Sequence, residues 1–194
     1  MKPLDSPVKI QEFLDSVPYN STKRTLSPIL VMKERMAHCM DGGMLAAAAL
    51  RRLGHPPLIV DLEAENDDDH IIAVFRESGF WGAVAKSNTT VLRYREPVYR
   101  TLRELAMSYF DLYYNLNGQK TLRSYSLPID LSRFDHLNWE TTDEDLEYIG
   151  DHTYRVRHYP LITPSQAGRL SNVPKYLYDA GFAGADIDGL YKPE

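Results

Sequence analysis

The chain has 194 residues, 43% of them hydrophobic, and a formal net charge of −5. This length suits one domain with a sizeable core, and the acidic balance argues against a general nucleic-acid binder, which is normally basic. No apolar run approaches the roughly 18 residues that cross a membrane, and the first residues lack the apolar core of a signal peptide. One cysteine cannot form an internal disulfide, so nothing requires an oxidising compartment and we expect a cytoplasmic protein. From the charge and the hydropathy we expect no nucleic-acid partner and no membrane partner.

Two Ser-Pro pairs predict the first two helices. Ser6-Pro7 and Ser27-Pro28 each place a capping residue before a proline, which is typical of the start of a helix. We expect a short amphipathic helix after each pair. The second should run to Met36, with a break near Ala37-His38 before the next helix.

The stretch from Arg35 to Gly54 contains the only cysteine, Cys39, and predicts a third helix. The residues from Ala46 to Leu50 are strong helix formers, and Gly54 is well placed to end the helix. A cysteine in the first turn lies beside unpaired backbone N–H groups and the positive end of the helix dipole, which both stabilise a thiolate. Cys39 is therefore a candidate nucleophile, although a lone cysteine is more often a buried apolar filler.

Three short apolar runs after Gly54 predict β-strands. They cover residues 58–62, 70–75 and 80–85, and Ser78-Gly79 forms a turn between the last two. A helix followed by three strands with tight connections indicates an α+β fold with an antiparallel sheet.

The second half of the chain predicts one long helix and an extension. We expect Glu96-Pro97 to open the longest helix, which runs to about Asn115 and buries Val98 in its apolar stripe. Residues 117–194 should form a C-terminal extension of extended pieces and short helices. The chain is thus expected to be a single domain whose core covers about residues 20–116.

The predicted strands also supply partners for a nucleophile, which needs a base and a group that orients the base. His70 opens the second strand on the same face as Ile72 and Val74, and we expect that face to point towards the cysteine helix. Because the end of one antiparallel strand lies beside the start of its neighbour, Asn88 or Ser87 should lie next to His70.

The order of these residues resembles the transglutaminase-like superfamily, which is related in fold to the papain-like cysteine proteases. The matching residues are Cys39-Met-Asp-Gly-Gly with the small-residue helix after it, then Asp69-His70, then Phe80-Trp81. The resemblance covers about residues 27–90. The stretch from Trp81 to Tyr99 is similar to an uncharacterised bacterial branch of the superfamily.

This resemblance implies a papain- or transglutaminase-like core and a Cys-His-Asn site for acyl transfer or hydrolysis at an amide or peptide bond. Cys39 would be the nucleophile and His70 the general base. Asn88 would orient the imidazole, in a place where the superfamily usually has an aspartate. The substrate would be a peptide, a protein or a small amide, and no cofactor is expected. The expected substrate contacts are Trp81, Ser87 and Lys86.

Other interpretations remain open. The chain could keep this fold as an inactive peptide-binding module, or act as an acyltransferase of the arylamine type, although no feature specifies a coenzyme A pocket. A metal site at 67–70 is disfavoured because consecutive carboxylates on a turn point in different directions. Lys86 opens a run of five cations, which we interpret as a solvated face paired with acidic residues 140–151. The alternative is an anchor for a substrate carboxylate or phosphate.

Overall fold

A computed structural model describes residues 4–22 and 24–193. The helices in this part of the chain are α1 (Pro7–Asp15), α2 (Pro28–Glu34), α3 (Cys39–Arg52), α4 (Leu102–Met107), α5 (Glu147–Thr153), α6 (Pro164–Ala167) and α7 (Lys175–Gly181). The strands are β1 (Leu58–Ala64), β2 (His70–Glu77), β3 (Phe80–Val84), β4 (Arg95–Tyr99), β5 (Leu122–Ser126), β6 (Ile129–Asp130) and β7 (His158–Pro160). Short 3-10 turns cover Phe110–Leu112, Leu131–Leu137 and Ile187–Gly189. Within these ranges, no helix combines the length and apolarity needed to cross a bilayer.

The three N-terminal helices confirm the predicted helix starts, but α2 ends at Glu34 and not at Met36, because Arg35 adopts a left-handed backbone with a φ angle of 60°. The Ser6 side chain accepts a hydrogen bond from the backbone N–H of Lys9, with Pro7 as the first helical residue of α1. Ser27 precedes α2, but its hydroxyl donates to the Thr142 carbonyl oxygen, at 2.6 Å, instead of capping the helix. A side-chain cap therefore marks the start of α1, whereas α2 begins at Pro28 without one. The small residues of α3 let neighbouring elements pack closely around it.

The strands form one sheet in the order β4-β3-β2-β1-β5-β7, with β6 also pairing with β1. Every named pair is antiparallel, which confirms the α+β class and the antiparallel sheet. Ser78 and Gly79 have φ angles of 49° and 88°, so the β2–β3 turn uses two left-handed residues, as in a tight hairpin. This hairpin brings the end of β3 back alongside the first half of β2, where Val84 pairs with Ala73.

Both faces of the sheet are covered. Ile71, Ala73 and Phe75 of β2 belong to the apolar cluster that contains α3. Ile72 and Val74 belong to a second cluster on the opposite face, built with the segment around α4. A strand buried on both faces is apolar throughout, so its sequence does not indicate which face a given helix covers.

Two glycines let the start of α3 approach the sheet. A methyl group placed on Gly42 would overlap the Cβ atom of Lys86, and one placed on Gly43 would lie 2.7 Å from Cγ2 of Ile71. A real Cβ atom does not fit at such separations, so the Gly-Gly pair sets how closely α3 packs on β2 and on the end of β3. This close packing places Cys39 against the beginning of β2.

The long helix predicted from Glu96-Pro97 is wrong. Residues 95–99 form β4, in which Tyr99 pairs with Trp81 of β3, and Val98 is 64% exposed instead of buried. The helix starts only after Thr101, whose side chain accepts a hydrogen bond from the Glu104 N–H and caps α4. Residues 96–99, whose helical spacing predicted the first turn of the long helix, therefore belong to β4, a strand at the edge of the sheet that pairs with β3.

The segment predicted as a C-terminal extension contributes to the same sheet. Strands β5, β6 and β7 all come from it, and β5 pairs directly with the central strand β1 through Leu62 and Tyr125. A capping box formed by Thr163 and Gln166 begins α6 in this segment. The segment therefore builds one side of the sheet, and it also supplies residues that surround Cys39.

Candidate functional site

A reciprocal cap fixes the position of Cys39 as the first residue of α3. The Nδ1 atom of His38 accepts hydrogen bonds from the backbone N–H groups of Met40 and Asp41, at 3.1 and 3.2 Å. In return, Oδ2 of Asp41 accepts from the His38 N–H at 3.0 Å. This is the capping-box arrangement, with histidine in the place usually taken by serine or threonine.

The Asp41 carboxylate also ties a neighbouring loop to the start of α3. It accepts hydrogen bonds from the Leu26 backbone N–H, at 2.7 Å, and from the Asn20 side-chain amide, at 3.0 Å. Burial raises the pKa of Asp41, while His38 and these hydrogen bonds oppose the change. The loop from Asn20 to Leu26 is thereby held beside Cys39.

The sulfur of Cys39 is a neutral thiol in this setting. Burial raises its pKa to about 12, with further contributions from Asp68, Asp41 and Asp61, against a hydrogen bond from the Ile71 backbone N–H that lowers it. The Sγ atom lies 3.9 Å from the Asp69 carbonyl oxygen, to which it donates. The expectation that the helix start would favour the thiolate is therefore wrong for this resting site, because burial and nearby carboxylates outweigh the helix dipole.

Tyr19 contacts the backbone of Cys39. A hydrogen bond from the Cys39 N–H to its hydroxyl lowers the pKa of Tyr19, but burial and the negative groups around it dominate and raise that pKa. The phenol oxygen consequently occupies the position in front of the first N–H group of α3. Such a position is where an oxyanion would bind.

His70 is a buried neutral imidazole. Its Nε2 atom donates a hydrogen bond to the Leu92 carbonyl oxygen at 2.8 Å, and its ring meets the edge of Tyr113 with the centroids 6.4 Å apart. Burial lowers the pKa of His70 to about 4; the bond to Leu92 opposes this change and Arg95 adds to it. With the proton on Nε2, the Nδ1 atom is an acceptor, as a general base requires.

The face on which His70 lies differs from the prediction in one respect. His70 does share its face with Ile72 and Val74, and both of its neighbours, Leu92 and Tyr113, belong to the cluster on that face. However, α3 packs on the opposite face, so the expectation that this face points towards the cysteine helix is wrong. His70 and Cys39 approach one another around the end of the sheet, not across its face.

Cys39 and His70 line the same small cavity at that end. This inner cavity has a volume of about 60 Å³, and Asn88, Ser87 and Tyr113 also line it. In the described part of the chain, no hydrogen bond joins the sulfur to the imidazole; each group binds a backbone carbonyl instead. The structure thus brings the two predicted residues to one cavity without a direct bond between them.

Asn88 does not orient His70. Both atoms of its side-chain amide bind the backbone of Asp186, at 2.8 Å each, and so hold the C-terminal segment. Ser87, the alternative, shares a hydrogen bond with the hydroxyl of Thr89. The predicted orienting contact is made by the Leu92 carbonyl, a backbone group that no residue type in the sequence indicates.

Trp81 and Lys86, the predicted substrate contacts, lie outside both cavities that Cys39 lines. Trp81 pairs with Arg76 near the hairpin turn, six residues along β2 from His70, which corresponds to about 20 Å at 3.3 Å per residue. Lys86 is buried, and its Nζ atom donates to the carbonyl oxygens of Leu14, in the last turn of α1, and of Val17, just after that helix. The antiparallel hairpin carries the tryptophan away from the site, and the lysine binds the end of a helix.

The cations after Lys86 are also arranged differently from the prediction. Arg93 pairs with Asp15, and Arg95 stacks on the ring of Tyr109 at 3.9 Å from the ring centroid. The interpretation of these residues as a face paired with residues 140–151 is therefore wrong. They hold the 91–109 segment in place instead.

Cys39 also lines a larger cavity of about 510 Å³, which we call the acidic cavity. Its lining includes six carboxylic residues: Asp61, Asp68, Asp69, Glu147, Asp151 and Asp188. Residues Gly189 to Tyr191 line both cavities, as Cys39 does. Among the residues that the structure describes, no group of three or more His, Cys, Asp or Glu side chains is arranged to hold a metal ion.

Asp61 is one of the residues of this cavity that sequence analysis missed. It lies in the apolar run of β1 and is 1% exposed; its Oδ2 atom is 3.2 Å from Nε2 of His158. Its Oδ1 atom is buried and has no hydrogen-bond partner in the described ranges. A carboxylate inside an otherwise apolar strand was a signal available in the sequence, because such a group is costly to bury without a role.

No family model matches the chain, and a search of curated proteins finds no match either. The resemblance to the transglutaminase-like superfamily therefore depends on the residues that carry it and stays a prediction. The functional argument has to be made from the geometry of this site.

Proposed function

We propose that this protein is a thiol-dependent hydrolase or acyltransferase that acts on an amide or peptide carbonyl, within a papain- or transglutaminase-like core. Cys39 is the nucleophile and His70 the general base. The observation that carries the proposal is the inner cavity that Cys39 and His70 both line. In addition, the Leu92 carbonyl accepts from Nε2 of His70, so that Nδ1 is the acceptor. A base oriented by a second group is the arrangement that activates a nucleophile.

The reaction begins from two neutral groups, since the Cys39 pKa is raised and the His70 pKa is lowered. As the sulfur attacks the carbonyl carbon, the thiol proton passes to Nδ1 of His70 and the carbonyl oxygen becomes an oxyanion. Collapse of this intermediate breaks the C–N bond, and the imidazolium gives its proton to the departing amine. Water or a second amine then attacks the thioester, with His70 taking and returning one proton, and the free thiol is restored.

The first N–H group of α3 is the oxyanion donor in this scheme. It now binds the Tyr19 hydroxyl, so the substrate oxygen takes the place of the phenol oxygen when it binds. Removing the phenol hydroxyl leaves this N–H accessible without altering the nucleophile or the base.

Acylation by p-nitrophenyl acetate tests the proposal. Because Cys39 is the only cysteine, a thioester formed on the protein is detected by intact mass, and its rate is followed by release of p-nitrophenolate. We expect the wild type to be acylated about 10²-fold faster than His70→Gln, the lower range for general-base catalysis. Glutamine can still donate to the Leu92 carbonyl, so the variant removes the base while keeping that hydrogen bond.

His55→Gln is the matched control. His55 follows α3 at its far end and packs against Phe75, so its loss should leave the acylation rate unchanged. Cys39→Ser should form no thioester. Equal rates for the wild type and His70→Gln would refute the assignment of His70 as the base.

A second candidate is a peptide-binding module without turnover. It is favoured by the raised pKa of the Cys39 thiol and by residues Gly189 to Tyr191, which line both cavities beside Cys39. In this case the wild type and Cys39→Ser would react with p-nitrophenyl acetate equally slowly, so the same assay separates the two functions.

A further inference from the structure

We propose that the acidic cavity is a subsite for an organic cation, an ammonium or guanidinium group that the substrate carries. The inference builds on the proposed function, because it takes Cys39 as the reacting atom beside the subsite. The cation is bound here as a fixed charge for recognition. It is not the attacking amine, since a protonated amine has no lone pair with which to attack a thioester.

The charge of the cavity supports this ligand class. Six of its lining residues carry carboxyl groups, whereas none of the described lining residues is lysine or arginine, and His38 is the basic side chain among them. A cleft lined by one sign of charge concentrates the field of that charge and attracts ions of the opposite sign. Burial raises the pKa values of Asp68 and Asp69, although His38 opposes the rise at Asp68 and the Ala64 N–H opposes it at Asp69.

The orphaned atom of Asp61 is the second, independent observation. A buried polar atom without a partner typically costs about 1–3 kcal/mol, and native proteins contain few of them. Oδ1 of Asp61 is such an atom, in a residue that lines the cavity. Burial raises the pKa of Asp61 to about 7, with Asp69 and Glu63 adding to the rise and His158 opposing it. An N–H donor of a bound cation would satisfy Oδ1 and stabilise the charged carboxylate.

The position of Asp61 relates the subsite to the nucleophile. Asp61 pairs with Ile71 across β1 and β2, and the Ile71 N–H is the group that bonds to the Cys39 sulfur. Directly opposite residues of an antiparallel pair have Cα atoms about 4.5–5.5 Å apart. The carboxylate is therefore one strand away from the sulfur, so the cation and the scissile carbonyl belong to the same residue or to adjacent residues of the substrate.

Binding of two ligands with blocked α-amino groups, Nα-acetyl-L-arginine amide (the arginine amide) and Nα-acetyl-L-citrulline amide (the citrulline amide), to Cys39→Ser tests the proposal. The two ligands have nearly the same shape, but only arginine carries the guanidinium charge, and the serine variant cannot form a thioester. We expect isothermal titration at low salt to give at least about tenfold tighter binding of the arginine amide, as for one charge-assisted hydrogen bond. The added change Asp61→Asn should remove about that factor.

Three further measurements control the test. Asp151→Asn removes an exposed carboxyl group from the cavity wall and should weaken binding of the arginine amide even if Asp61→Asn fails to fold. Glu12→Gln removes an exposed charge from α1, outside the cavity, and should have no effect. In NMR spectra of the protein, the ring signals of His158, which pairs with Asp61, should shift on titration with the arginine amide.

Equal affinity for the two amides, or an equal loss of affinity in Glu12→Gln and Asp151→Asn, would overturn the subsite. This outcome is distinguishable from failure of the proposed function. The acylation assay uses an uncharged ester and reports on Cys39 and His70, whereas the titration is done without the thiol. If Cys39 is acylated but the two amides bind equally, the proposed function stands and the subsite is refuted. If the arginine amide binds more tightly but Cys39 is not acylated, the cation site stands and the proposed function is refuted.

Discussion

Substitution of Gly42 by alanine should separate α3 from the sheet and destabilise the protein. The added methyl group would overlap Cβ of Lys86 and lie 3.4 Å from its Cα atom. Neither atom can move by a side-chain rotation, because both belong to the backbone or are attached directly to it. Lys86 is also anchored by the bonds from its Nζ atom to the end of α1.

The expected magnitude follows from two opposed terms. Alanine in place of glycine inside a helix contributes about 0.5–1 kcal/mol of stabilisation through its helix propensity. Forcing an extra carbon atom into a well-packed interface costs about 1–3 kcal/mol, and more where the backbone has to move. Since the overlap is with a rigid atom, the upper part of this range applies. We expect Gly42→Ala to lower the free energy of unfolding by about 2 kcal/mol.

Urea unfolding followed by circular dichroism measures this change. The matched control is Gly150→Ala, which lies inside α5 and whose added methyl group would meet nothing closer than Cε of Met40, at 3.7 Å. The control should be stabilised by about 0.5–1 kcal/mol, because only the propensity term remains. A Gly42→Ala protein as stable as the wild type would refute the close packing at the start of α3.

Two more outcomes are expected. Burial lowers the pKa of Lys86 to about 8 from its ordinary 10.5, so between these pH values Lys86 binds more protons in the unfolded chain than in the folded one and contributes a free energy of unfolding that rises with pH. The raised pKa values of Cys39 and Tyr19 contribute in the opposite direction, because these groups lose their protons first in the unfolded chain. Urea midpoints at pH 8 and 10 should therefore change less favourably with pH in Lys86→Met than in the wild type, and an equal change in both proteins would contradict the lowered pKa of Lys86. Asn88→Ala should remove the hydrogen-exchange protection of the Asp186 amide and speed acylation of Cys39, because both hydrogen bonds between the Asn88 side chain and the Asp186 backbone are lost. The control Asn117→Ala, at an exposed position, should do neither. Unchanged protection in Asn88→Ala would show that other contacts hold the segment.

The N-terminal half of the fold could be predicted because its signals are local. A cap at Ser6, proline at the first position and a run of alanines decide helices by nearby backbone chemistry, and Ser78-Gly79 decides a hairpin in the same way. The segment after Glu96 could not be predicted by this means. Its apolar spacing suits a helix, but pairing with the open edge of β3 outweighs that spacing, and this depends on contacts distant in sequence.

The candidate site could be predicted in part for related reasons. The positions of Cys39 and His70 at the ends of their elements follow from local signals, and both line the inner cavity. The side of the sheet on which each residue lies does not follow from local signals, because β2 is apolar on both faces. The group that orients His70 is also beyond sequence reasoning, since a backbone carbonyl such as that of Leu92 is common to every residue.

The acidic cavity and the neutral thiol are two aspects of one electrostatic arrangement. After burial, the carboxylates of Asp68, Asp41 and Asp61 are what raise the Cys39 pKa, and two of them line the cavity. A cation bound among them would offset their field at the sulfur and so lower the pKa of the thiol. The same ligand charge that satisfies Oδ1 of Asp61 therefore also favours transfer of the thiol proton to His70. In the two proposals together, the nucleophile is neutral in the free protein and is activated when a cationic substrate binds, because a carboxylate in β1 lies one strand away from Cys39 at the start of α3.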